Sequence, residues 1–284
     1  MNLIVQGKDI PTPSLKALAK LTCAAAIEAV SSTAFRLVAA DDGPRAEVAA
    51  FCDANALDHG WVPAARRMCD FGLLVMDMDS TLITIECIDE IADMQGLKPQ
   101  VSAITESAMR GEIDFAESLR RRVTLLAGLD QSALQRVYDE RLQLSPGAEA
   151  LLAAARATGI KTLLVSGGFT FFTERLQPRL GLDFTAANTL EVSAGKLTGR
   201  VLGDIVDAQG KADWLNRVRS QLGLGKAQVI AMGDGANDLK MMAEAGISIA
   251  YRAKPVVRAQ ASYALNQVGL DGVIPLLGEI DHGT

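Results

Sequence analysis

The apolar run Phe71-Gly72-Leu73-Leu74-Val75-Met76 ends in Asp77-Met78-Asp79-Ser80-Thr81. A run without polar alternation reads as a buried strand of a parallel sheet, covered on both faces. In open α/β sheets ligands bind just outside the carboxyl ends of such strands. Residues two apart on a strand share a face, so Asp77 and Asp79 can converge on one ligand. Neighbouring carboxylates repel, and a cation is the usual means of holding them together. Taken alone, the pair reads equally well as a strand ending in a capped, solvated turn, so the rest of the chain decides.

The rhythm of that run recurs. Apolar strands are expected at 73–77, 161–166, 228–232 and 247–250, and helices at 147–158, 170–180, 211–221 and 238–245. Alternating strands and helices predict an α/β fold with a doubly wound, Rossmann-like parallel sheet. Two insertions interrupt it. The stretch from about 82 to 144 is helical without a clear strand and would sit above the carboxyl edge of the sheet as a cap. Between 187 and 203 a hairpin is expected, with Ser193-Ala194-Gly195-Lys196 as its turn. Ahead of the core, residues 1–68 alternate strand 3–5, helix 13–23, strand 34–40 and helix 45–55. They form a small N-terminal α+β module of ferredoxin-like type, and Trp61-Val62-Pro63-Ala64-Ala65-Arg66-Arg67 would lead out of it. The domain reading is therefore 1–68 for the module, 69–82 with 145–284 for the core, and 83–144 for the inserted cap.

Composition narrows the function. The 284 residues are 49% hydrophobic and 22% charged, which is enough for a well-buried core. A net charge of −6 disfavours nucleic acid and anionic membrane surfaces, and 5% aromatics leave little for base stacking. A small anionic substrate remains compatible, because a local cluster with a metal overrides the global sign. No apolar stretch reaches membrane-spanning length, and Met1–Lys8 lacks the pattern of a signal peptide. Cys23, Cys52, Cys69 and Cys87 form no CxxC pair, and His59 and His282 have no partner pattern. Buried reduced thiols in a cytoplasmic protein are the plain expectation. A small-molecule substrate, no nucleic acid and no membrane follow, with a homodimer left open.

Two further strand ends carry polar chemistry. Leu163-Leu164-Val165 runs into Ser166-Gly167-Gly168, where glycines and a following helix start would form an oxyanion nest; a plain strand-to-helix turn is the other reading. Ala231-Met232 runs into Gly233-Asp234-Gly235-Ala236-Asn237-Asp238, hard oxygen donors of the kind Mg²⁺ takes. A helix cap explains one of these residues but not the cluster. Lys211, after Asp207-Ala208-Gln209-Gly210, opposes the helix dipole at its expected position, which suggests that it points at an anion.

Strand ends reading DxDST, SGG and GDGxND, with a lysine before the third, resemble the haloacid dehalogenase superfamily of phosphohydrolases. Glu86-Cys87-Ile88-Asp89-Glu90-Ile91-Ala92, Met109-Arg110-Gly111-Glu112-Ile113-Asp114-Phe115 and Ser118-Leu119-Arg120-Arg121-Arg122-Val123 are similar to the phosphoserine phosphatases, over roughly residues 70–275. The resemblance implies a haloacid dehalogenase-type core and an ACT-like, amino-acid-binding type of N-terminal extension. It implies Asp77 as nucleophile and Asp79 as general acid and base, with Mg²⁺ on the Asp77 side chain, the Asp79 carbonyl and Asp234, supported by Asp238. Ser166, Gly167 and Lys211 would hold the phosphoryl oxygens, and Asn237 would help position them. In the cap, Glu86 would take the substrate ammonium and Arg122 its carboxylate, with Met109 and Phe115 closing the pocket. The expected reaction is Mg²⁺-dependent hydrolysis of phosphoserine through an aspartyl phosphate, as the last step of serine biosynthesis. Another small-molecule phosphatase or phosphotransferase of the superfamily is the nearest alternative. A non-catalytic amino-acid sensor built on 1–68 would have no use for the acidic and phosphate-binding set.

Overall fold

A computed structural model describes residues 1–278; residues 279–284 of the expected core range, His282 among them, lie outside the described residues. The chain begins with β1 (Asn2–Gln6), α1 (Thr12–Leu21), β2 (Ala26–Ser31), β3 (Ala34–Val38), α2 (Arg45–Ala54) and β4 (Asp58–Val62). These strands form an antiparallel four-stranded sheet in the order β2-β3-β1-β4. That path and order are the ferredoxin-like arrangement. Two of its strands escape the sequence reading for physical reasons. All six residues of β2 are exposed, so no buried face imposes an alternation. β4 reads Asp58-His59-Gly60-Trp61-Val62 and is buried from two sides, Trp61 in the module's own core and Val62 in that of the larger sheet, so it shows no alternation. Trp61 and Val62 therefore belong to a strand, not to a linker.

A seven-stranded sheet follows, among the described residues, in the order β11-β10-β9-β5-β6-β7-β8. After β5 (Leu73–Met76) come four helices, α3 (Cys87–Asp93), α4 (Lys98–Met109), α5 (Phe115–Thr124) and α6 (Ser132–Glu140). The chain returns through α7 (Ala148–Ala157), β6 (Lys161–Phe169), α8 (Thr170–Leu180) and the antiparallel hairpin β7 (Phe184–Ser193) and β8 (Lys196–Leu202). It closes with α9 (Ala208–Gln221), β9 (Val229–Gly233), α10 (Leu239–Ala243), β10 (Ile247–Tyr251), α11 (Pro255–Arg258), β11 (Tyr263–Leu265) and α12 (Val273–Leu276). Within this sheet all strand pairings among the described residues except the hairpin are parallel.

The absence of alternation in the central strand now has its explanation. Leu73 and Val75 bury against one layer, with Leu215, Val218, Met241 and Met242 of α9 and α10. Leu74 and Met76 bury against the other, with Leu151, Phe172, Leu176 and Val273 of α7, α8 and α12. Each such buried side chain contributes roughly 1.5–3 kcal/mol. The chain leaves β5 for β6 and β7 on one side and returns to β9 on the other. This reversal opens a crevice at the carboxyl end of β5, where ligands of such sheets bind.

The hairpin braces the helical insertion. Gly128 donates to the Leu197 carbonyl (2.8 Å), Leu197 to that of Leu129 (2.8 Å) and Gln131 to that of Gly195 (2.9 Å). Gly199, at φ +82°, is required there, since a Cβ would lie 2.9 Å from the Ala127 Cβ and 3.2 Å from the Thr124 carbonyl. Ile83 bridges to Leu144 where the insertion leaves and rejoins the core.

The two sheets are joined at their edges, β4 beside β11. The Asp58 carboxylate accepts from the N–H groups of Asn266 (2.8 Å), Gln267 (2.8 Å) and Val268 (3.2 Å). Tyr263 donates its hydroxyl to the Trp61 carbonyl (2.9 Å), and Gln6 donates to that of Gly272 (2.9 Å). Asp58→Ala strands three N–H donors at this junction. It is expected to lower the unfolding free energy by about 3 kcal/mol, read as a lower urea midpoint. An unchanged midpoint would mean that the junction does not depend on this carboxylate.

Among the described residues no helix is long and apolar enough to cross a membrane. The cysteines are free, but only Cys52 and Cys87 are buried; Cys23 and Cys69 are exposed, against the expectation of buried thiols throughout.

Candidate active site

Asp77 lies just beyond β5, its N–H bonded to the Met232 carbonyl of β9 (3.0 Å). Asp79 is not on the strand, as the spacing argument assumed. It sits in a turn where it is itself extended (φ −64°, ψ 135°) and Ser80 is left-handed at φ 55°. The two carboxylates still face one cavity, brought there by the turn instead of by strand alternation. Asp77 Oδ1 accepts from the Met78 N–H and from Lys211 Nζ, both at 2.7 Å. Asp79 Oδ1 accepts from the Cys87 N–H (2.8 Å) and Oδ2 from the Ser166 hydroxyl (3.1 Å).

Ser166-Gly167-Gly168 also differs from expectation. β6 continues through these residues to Phe169, with a register shift between Val165 and Phe169, so the glycines lie in extended chain and not at a helix start. Their need is close approach. A Cβ on Gly168 would fall 2.6 Å from Asp79 Oδ2, and one on Gly167 would fall 2.9 Å from Phe115 Cζ. Ser166 Oγ accepts from the Gly168 N–H (2.8 Å) while donating to Asp79.

Lys211 stands one turn inside α9, because Asp207 caps that helix by accepting from the Gly210 N–H (2.8 Å). Its ammonium is buried and bonds Asp77 Oδ1 and Asp238 Oδ1, each at 2.7 Å. Burial works against its charge, but Asp238 and Asp77 outweigh it and hold the lysine pKa above its usual range. Asp238 is anchored further by the Gly235 N–H (3.0 Å), and Asp234 accepts from the Thr81 hydroxyl (3.3 Å).

Oxygens of Asp77, Asp234 and Asp238 lie within 4.8 Å of one another. Burial, then the charge of Asp238, pushes the Asp77 carboxyl well above the carboxylate range. The same two causes bring Asp234 up to about 6, and burial raises Asp79. One ammonium does not balance this set, so the site is short of positive charge. A buried group of hard oxygen donors in that state fits a divalent cation. Both Asp238 oxygens are engaged, by Lys211 and by the Gly235 N–H, whereas the Met78 and Lys211 bonds to Asp77 both fall on Oδ1, which leaves Asp77 Oδ2 and Asp234 best placed to hold one.

The cavity above these groups has a volume of about 560 Å³. Asp77, Asp79, Lys211, Asp234 and Asn237 line its floor, Gly167 one wall, and Glu86, Phe115, Arg122 and Met109 the side toward the insertion. Ser166 and Asp238 stand behind the wall and act through Asp79 and Lys211. Phe115 packs against the core above Gly167, whereas Met109 is 68% exposed at the rim and is not part of a cap core. Glu86 accepts from Ser80 Oγ (2.6 Å). Burial pushes its carboxyl up to about 8, with the Asp79 charge adding and the Ser80 bond opposing. Burial lowers the Arg122 pKa, and the charges of Asp89 and Glu86 oppose that fall.

The lining also includes residues not singled out from sequence, among them Ser80, Cys87, Asp89 and, from a distant loop, Lys254. The first three sit inside the motif stretches quoted above, one position or one helical turn from a chosen residue. Lys254 carries no motif and reaches the cavity only because β10 pairs beside β9.

Comparison with known proteins agrees with this geometry. Residues 74–243 match the family model of haloacid dehalogenase-like hydrolases, and residues 3–48 match a domain of unknown function (DUF4072). A phosphoserine phosphatase of Polaromonas sp. is 55% identical over 216 residues, covering 74% of this chain and 92% of its own. The crystal structure of a probable phosphoserine phosphatase from Vibrio cholerae superposes with a TM-score of 0.85 at 40% identity, covering 97% of this chain and 86% of that one. A HAD-family hydrolase from Salmonella enterica serovar Typhi gives a TM-score of 0.88 at 32% identity, covering 97% of both chains.

Proposed function

The chain belongs to the haloacid dehalogenase-like hydrolases and, within them, to the phosphoserine phosphatases; on that premise we propose that it hydrolyses O-phospho-L-serine to L-serine and phosphate through an aspartyl phosphate on Asp77, with Mg²⁺ as its metal. The observation that carries this reading is the placement of Asp77. Its carboxylate lies on the cavity floor at the switch point of the sheet, fixed by Lys211 and Met78, with Asp79 turned toward the same cavity.

Asp77 attacks phosphorus as the bond to the seryl oxygen breaks, and Asp79 delivers a proton to that leaving oxygen. Burial favours the protonated form of Asp79, which suits it to this task. Asp79 then takes a proton from the water that attacks the aspartyl phosphate, releasing phosphate and restoring Asp77. Lys211 and the main chain at Gly167 hold the phosphoryl oxygens as charge spreads over them, Asn237 positions them from the floor, and Ser166, expected from sequence to bind them directly, instead orients Asp79 from behind the wall. Asp77, Asp234 and the Asp79 carbonyl would hold Mg²⁺, with Asp238 supporting them through Lys211. When bound, the ion supplies positive charge that lets the carboxylates share the cavity with a phosphate ester.

Residues 83–144 act as the cap that selects the substrate, above a core of 69–82 and 145–284, with 1–68 as a separate module. Glu86 receives the ammonium, whose charge favours the ionised carboxylate, and Arg122 receives the carboxylate by a bidentate fork. Phe115, with Met109 from the rim, closes apolar surface over the ester. Cytoplasmic location and the last step of serine biosynthesis complete the proposal.

A panel of phosphomonoesters tests the cap. Arg122→Ala is expected to reduce kcat/KM for L-phosphoserine by about 100-fold, the effect of a lost charge-assisted fork, and to affect phosphoethanolamine, which lacks the carboxylate, far less. Equal losses on both would remove Arg122 from carboxylate recognition. Preference for an ester that is not an amino acid would favour another phosphatase or phosphotransferase of the superfamily.

A further inference from the structure

We propose that Asn188 is a positioning residue that locks the phosphate-binding segment at Gly167 to the loop that presents Lys211. Asn188 lies on β7, in register with Phe169 of β6, and is 1% exposed. Its Nδ2 donates to the Gly167 carbonyl at 2.8 Å, and its Oδ1 accepts from the Val206 N–H at 2.8 Å. The two partners fix the orientation of the amide, since a carbonyl requires the NH₂ and an N–H requires the oxygen.

Each partner is a short step from the chemistry. Gly167 follows Ser166, which bonds Asp79. Val206 precedes Asp207, whose side chain caps α9 and whose carbonyl accepts from the Lys211 N–H (2.9 Å). The two loops approach closely, for a Cβ on Gly167 would lie 3.6 Å from the Val206 carbonyl oxygen. One short planar side chain thus sets the spacing between two groups assigned to the phosphoryl oxygens, and it does so from outside the cavity. The inference rests on the phosphohydrolase reading of that site. Under that reading the spacing matters most in the transition state, where charge on the phosphoryl oxygens is greatest.

Two variants test it in the full-length enzyme. Asn188→Ala removes both bonds. Asn188→Asp keeps the acceptor for Val206 and sets a carboxylate oxygen against the Gly167 carbonyl. Both are expected to lower kcat for L-phosphoserine by about 100-fold and to weaken product inhibition by inorganic phosphate by about tenfold, leaving inhibition by L-serine at its wild-type value. A residue that merely fills the core would lower Tm without moving kcat, or would weaken phosphate and serine alike, and either result overturns the proposal. Should Asn188→Ala not fold, Asn188→Asp decides; should neither fold, Asn188 is a determinant of the fold and the assignment fails. Wild-type protein inactive on every phosphomonoester would instead refute the underlying reading, a result distinct from active wild type with unaffected variants.

Discussion

Asp77→Asn is expected to reduce turnover of L-phosphoserine by on the order of 10⁴-fold or more while leaving the protein folded. An amide keeps the shape of the carboxyl and can still accept from the Met78 N–H and from Lys211 through its oxygen. It cannot serve as a nucleophile toward phosphorus at any practical rate. The fold should tolerate the change because Asp77 is a buried carboxyl pushed away from its charged form by burial and by Asp238. Removing its charge relieves that repulsion, and Lys211 keeps Asp238 as its counter-ion. Circular dichroism and Tm near those of the wild type, with activity lost, form the expected result.

Lys211→Met should damage both stability and catalysis. The ammonium lies fully buried between Asp77 and Asp238, and a methionine of similar length leaves both carboxylates without it. Breaking a buried ion pair by removing one partner costs about 3–5 kcal/mol, which for a chain of this size lowers Tm by roughly 10 °C. The folded-state lysine pKa is raised, so its contribution is complete below the unfolded value and is lost only as pH rises through the folded one. The stability difference should therefore stay constant across neutral pH. Turnover should fall by about 10²–10³-fold through the loss of a fixed charge on the phosphoryl oxygens. A variant with wild-type Tm would show that the lysine does not stabilise the acidic pair.

The core was legible because a doubly wound sheet imposes runs such as Leu73–Met76, apolar on both faces, and because the polar strand ends fall at the carboxyl edge. Edges and junctions were not. β2 is exposed throughout, and β4 is buried partly by its own module and partly by β11 and α12, so neither leaves a local pattern. The site residues were found as motifs, yet their geometry was partly misread. Asp79 faces the cavity through a turn with left-handed Ser80, and the glycines after Ser166 serve close approach in extended chain. Asp207, given no capping role in the sequence reading, places Lys211 a full turn into its helix. Lys254 and Asn188 reach the site only through strand order and cross-strand hydrogen bonds, which no short window of sequence contains.

The most direct test is phosphate release from L-phosphoserine by wild type and Asp77→Asn, each measured with Mg²⁺ and after treatment with EDTA. Rapid release by the wild type with Mg²⁺, abolished by EDTA and absent from the folded Asp77→Asn variant, is the predicted outcome. Release that survives in the variant, or that is indifferent to the metal, would contradict an aspartyl-phosphate mechanism at this acidic site.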